Sequence, residues 1–163
     1  MADFAYSPMF PVAEDTTEYE LVSSDHVRLI ELDGETFLRV EPEALILLAE
    51  RAFSDISHLL RSSHLEQLAN ILRDPEATKN DRFVALEMLK NAVISAEGLL
   101  PMCQDTGTAL VNGYRGDHVL VAGDDGEALS RGIYNTYQNC NLRYSQLSAR
   151  TMFDENNTST NLP

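Results

Sequence analysis

Cysteine is scarce in this chain. There are two, Cys103 and Cys140, among 163 residues. Two thiols cannot build the disulfide framework of a small secreted domain, which points to a reducing compartment, the cytoplasm. No apolar run approaches the roughly 18 residues that cross a bilayer, and the N-terminus lacks the basic start and apolar core of a signal peptide. Basic residues are few as well, 12 against 26 acidic ones, for a net charge of −14. That weighs against nucleic acid, whose phosphates draw on clustered Lys and Arg, and against an anionic membrane surface. Gly-rich nucleotide fingerprints, phosphate loops and serine nucleophile elbows are absent too.

What remains is an ordinary soluble composition, 44% hydrophobic and 23% charged. Residues 1–18 have no clear period and predict an N-terminal arm; residues 19–163 predict one domain. Two alternating runs, Val27 to Leu32 and Glu35 to Val40, flank Asp33-Gly34 and predict a hairpin. Three helices should follow: Pro42 to about Arg61, one opened by a capping box at Ser63 to Glu66, and about Asn80 to Glu97, closed by Gly98. Leu45, Leu48, Ala49, Ala52, Ile56, Leu59 and Leu60 make the apolar face of the first. Phe83, Leu86, Leu89, Val93 and Ala96 make that of the third. These two helices should form the core. A strand is expected over 108–114, a second over 117–122, and a helix capped by Asp124 or Asp125 carries Leu129, Ile133 and Tyr137. The polar stretch from Tyr144 shows little periodicity. The expected class is α+β: a mostly helical domain of about five helices with a small sheet that includes the N-terminal hairpin. The polar ending at Thr160 to Pro163 predicts that the chain is a piece of a longer protein.

Chemistry concentrates at one junction. Pro101-Met102-Cys103-Gln104-Asp105-Thr106-Gly107-Thr108 places a thiol, an amide and a carboxylate side by side at the end of a helix. A soft ligand among polar groups suits a metal-assisted site, although a lone cysteine is also commonly a small buried hydrophobe. A zinc site would need a further Cys or His at ligand spacing. The histidines, His26, His58, His64 and His118, are scattered. An iron–sulfur cluster takes thiolates from distant positions, of which this chain supplies one or two. Arg143 offers a planar fork for a carboxylate, but in so acidic a chain it equally suits a surface ion pair, as do Arg39, Arg115, Arg131 and Arg150.

The octapeptide resembles the cluster-binding segment of the class I, iron–sulfur-dependent fumarate hydratases. Other phrases agree in order: Pro42 to Leu45, Ile71 to Ala77, Arg131 to Tyr137, Asn141 to Gln146 and Thr158 to Pro163. The resemblance covers nearly the whole chain after residue 17. It implies the N-terminal part of a hydro-lyase of the tricarboxylic acid cycle that interconverts fumarate and malate and works as a homodimer. By the same resemblance Cys103 ligates a [4Fe-4S] cluster, and Arg143, Gln104 and Asp105 bind the dicarboxylate, Asp105 being the catalytic candidate. Cys140 falls where the family places no ligand. The remaining cluster cysteines would lie downstream, so these 163 residues alone should be inactive. The iron–sulfur tartrate dehydratases share the general motif. A reading from another class is an acidic, non-catalytic interaction module.

Overall fold

The structure is a computed structural model and describes residues 4–7, 14, 18–103, 108–143 and 146–158. It is an α+β fold. Strands β1 (Val27–Leu32) and β2 (Glu35–Val40) lead into helices α1 (Pro42–His58), α2 (Ser62–Arg73) and α3 (Lys79–Ser95). Strand β3 (Val119–Val121), helix α4 (Asp125–Asn139) and strands β4 (Leu147–Ala149) and β5 (Glu155–Asn157) complete it.

β1 and β2 pair antiparallel with Leu32 opposite Glu35, so Asp33 and Gly34 form the turn. Both have positive φ, 50° and 81°, as a two-residue hairpin of this hand requires. β3 returns parallel to β2, with Leu38 opposite Val119 and Val40 opposite Val121. His118 secures that edge. Its carbonyl accepts the Leu38 N–H at 2.8 Å and its ring stacks on Phe37 with centroids 4.8 Å apart. This histidine is therefore engaged in holding the sheet.

The helices pair as α1 with α4 and α2 with α3. Pro42 opens α1 at a position where its missing N–H loses nothing. Asp124 caps α4 by accepting the Glu127 N–H at 3.1 Å. Ala49 of α1 and Ala128, Gly132 and Ile133 of α4 are buried, and Gly132 facing Ala49 allows the two axes a close approach. The Thr136 hydroxyl adds a bond across the pair, to the Glu50 carbonyl at 3.3 Å.

Several sequence expectations are corrected. The described residues hold four helices rather than about five. The main partner of α1 is α4, not α3. Of the α3 stripe, Phe83, Leu86 and Val93 are exposed, Phe83 at 61%, while Ala85, Ala92 and Ser95 are buried. α2 packs against the small-residue face, so the large apolar side chains turn outward. No side chain caps α2, whose cap position is Arg61. The capping box stands instead at Thr78 and Asp81 on α3. Residues 108–114 form no strand, and the stretch after Tyr144 contains the β4–β5 pair, with Leu147 opposite Asn157. No helix among the described residues is long and apolar enough to cross a membrane.

Candidate functional site

α3 closes with Gly98 at φ 75°, and the chain turns back toward the end of α1. There the main chain of Met102 is held from two sides. Its N–H donates to the Ser57 carbonyl of α1 at 2.9 Å, and its carbonyl accepts the Asn91 side-chain amide of α3 at 2.8 Å. The next residue is Cys103, and it is exposed. The buried-hydrophobe reading of this thiol is thus corrected. The preceding residue is pinned and the thiol is presented.

Arg143 arrives from another direction. α4 ends at Asn139, with Cys140 as its cap donating its N–H to the Thr136 carbonyl at 2.9 Å. Asn141 then adopts φ 52°, a left-handed conformation that asparagine tolerates better than most residues. That turn redirects the chain and sends Leu142 inward, where it is buried. Arg143 follows directly.

The two routes meet. Cys103 and Arg143 line one cavity of about 400 Å³, together with Phe53 and Ser57 of α1, Thr108 and Tyr137 of α4. Gln104 and Asp105 lie outside the described residues. Cys140 is half-buried and is not among the residues that line the cavity. The lining residues of α1 and α4 lie toward the C-terminal ends of those helices, the negative poles of their dipoles. Such poles favour a cation and disfavour an anion. A carboxylate entering here would need a positive partner, and Arg143 supplies one. Sequence reasoning missed Phe53, Ser57 and Tyr137, because nothing in an ordinary helical face marks its last turns as pocket wall.

The donor set fits part of a cluster site. A presented thiol at a cavity wall is a suitable thiolate ligand. Among the described residues no group of three His, Cys, Asp or Glu could hold a metal ion, and the sequence has only two cysteines. Cys103 alone therefore cannot retain a cubane.

The sequence model of the fumarate hydratase (Fumerase) family matches residues 46–163, well over half of the chain. The chain belongs to the fumarate hydratase family. It is 55% identical over 160 residues to the anaerobic class I fumarate hydratase of Escherichia coli (strain K12), covering 98% of this chain and 29% of that protein. The aerobic class I enzyme of the same strain is 53% identical over 160 residues, again 98% of this chain and 29% of the other. Fumarate hydratase 1, mitochondrial, of Leishmania major is 52% identical over 166 residues, covering 100% of this chain and 30% of its own. The chain thus spans less than a third of the length of these fumarate hydratases. The matched segment contains Cys103, Arg143 and every cavity-lining residue named above.

Proposed function

We propose that this chain is the N-terminal part of a class I fumarate hydratase, a hydro-lyase that interconverts fumarate and malate. The observation that carries the reading is the meeting of Cys103 and Arg143 in one cavity, although α4 and a sheet strand separate them in sequence. Cys103 would hold one iron of a [4Fe-4S] cluster, and the other thiolates would come from outside these 163 residues. When bound, such a cluster supplies an open iron that polarises the substrate hydroxyl.

This chain's own residues do the rest of the local work. Arg143 grips one substrate carboxylate with two parallel hydrogen bonds and offsets the negative helix ends around it. Phe53, Leu142 and Tyr137 line the cavity beside it, with Arg143 itself on the exposed side. By the family resemblance Gln104 and Asp105 are assigned to the substrate, and Asp105 is the proposed proton-transfer residue. Two cysteines not joined in a disulfide suit a reducing compartment, and we assign the cytoplasm. The assembled enzyme is proposed to be a homodimer of the tricarboxylic acid cycle.

The test is anaerobic reconstitution of the full-length protein with iron and sulfide, followed by the loss of fumarate absorbance on hydration. Hydration in proportion to bound iron supports the proposal. Turnover of tartrate without fumarate would move the protein to the sister dehydratases. Failure to bind iron would favour the acidic interaction module.

A further inference from the structure

Gln146 ties together three segments of chain, one of which lines the cavity at Thr108. Its side-chain Nε2 donates to the Thr108 hydroxyl at 2.7 Å. Its main-chain carbonyl accepts the Thr158 N–H at 2.9 Å. It also follows Arg143 by three residues. Thr108 is the first described residue after the Cys103 segment and lines the cavity with Cys103 and Arg143.

Gln146 is only 9% exposed, an uncommon place for a glutamine. Its Oε1 is buried and receives no hydrogen bond. A buried amide left half-satisfied is less stable than an apolar side chain of similar shape. Methionine would fill the same space without that penalty. Stability alone therefore does not account for an amide here, and the bond to Thr108 does. Groups held against a local penalty commonly serve a site.

We infer that Gln146 is a positioning residue for the hydro-lyase site. The segment carrying the thiol is fixed upstream, where Ser57 and Asn91 hold Met102. The Gln146–Thr108 bond fixes it downstream, and it fixes it to the segment that carries Arg143. These attachments flank the thiol in sequence and tie the Thr108 wall of the cavity to the segment that follows Arg143. A misplacement of about 1 Å between reacting groups costs up to about a hundredfold in rate. The inference rests on the roles proposed for Cys103 and Arg143.

The experiment uses the full-length, cluster-loaded enzyme with Gln146→Met, Thr108→Val and both together. Each single variant should lower kcat/KM by about 5- to 100-fold. The double variant should be no worse than the worse single one, because both remove the same bond. Thr108→Ser keeps the hydroxyl and should recover most of what Thr108→Val loses. Independently of activity, amide hydrogen exchange over 108–111 should rise in Gln146→Met while α1 and α4 keep their protection. Additive losses, or unchanged exchange over 108–111, would overturn the positioning role. Cys103→Ser is the separate control: a wild-type cluster spectrum in that variant would overturn the underlying reading of the cavity.

Discussion

Gly132 of α4 has no room for a side chain. A Cβ built there would sit 2.7 Å from the Cβ of Ala49, and the Ile46 carbonyl oxygen would be nearer still. Real Cβ atoms do not approach so closely, and one of the obstacles is main chain that cannot swing aside. Gly132→Ala must therefore push α1 and α4 apart. The expected loss is about 1–3 kcal/mol or more, as for other overpacked cores. Gly113→Ala is the control, since nothing lies within 4 Å of its Cβ, and it should be nearly neutral. Urea unfolding midpoints of the two variants decide the matter. A Gly132→Ala protein as stable as the parent would show that the α1–α4 spacing is wrong.

Ile133 tests the same interface from the opposite direction. It is 4% exposed and belongs to the buried face of α4. Ile133→Ala leaves a cavity and should destabilise by about 2–5 kcal/mol, measured by the same denaturation. A loss well below 1 kcal/mol would place Ile133 outside the core.

The start of α3 should respond to acid. The Thr78 hydroxyl donates to the Asp81 carboxylate at 2.7 Å, and the Thr78 N–H donates to it at 2.9 Å. These two bonds hold the Asp81 pKa below its ordinary value of 3.8. A lowered folded pKa contributes stability that is complete above the ordinary value and is lost as the pH falls through the folded one. Asp81→Asn should therefore flatten the pH dependence of unfolding below about pH 4, and leave a less stable α3 at neutral pH. Unfolding midpoints from about pH 2 to pH 6 give the comparison. Identical acid slopes for the two proteins would remove Asp81 from the cap.

Local chemistry was the legible part of this fold. Asp33-Gly34 announces a hairpin because both turn positions need positive φ, and both have it. Gly98 after α3 and Asp124 before α4 are read in the same way. Features that depend on a distant partner were not legible. Ala109, Leu110 and Val111 look like a strand but pair with no strand among the described residues. Glu155 to Asn157 look like loop and pair with β4. Phe83 and Val93 look like core, yet α2 docks on Ala85 and Ala92 instead. The site divides along the same line. Cys103 and Arg143 could be named from the sequence, the latter through family resemblance. Their meeting at the ends of α1 and α4 follows from helix packing that no local pattern encodes.

Arg143 should not tolerate lysine. Arg143→Lys keeps the charge and loses the two-pronged grip on a carboxylate. In the full-length enzyme it should lower kcat/KM by about 30- to 1,000-fold, or about 2–4 kcal/mol of transition-state stabilisation. Fold and cluster content should be preserved, as circular dichroism and iron analysis would report. Near-normal kinetics would return Arg143 to the surface-ion-pair reading.

The most direct measurement compares the two cysteines in the full-length protein. Cys103→Ser and Cys140→Ser are each reconstituted anaerobically with iron and sulfide, and cluster absorbance and fumarate hydration are read together. A hydroxyl is a poor ligand for iron in a thiolate cluster, so Cys103→Ser should lose both signals. Cys140, half-buried at the end of α4 and not among the cavity's lining residues, should tolerate serine with both largely intact. A Cys103→Ser protein that retains cluster and activity, or a Cys140→Ser protein that loses them, would contradict the assignment of this cavity as the site of chemistry.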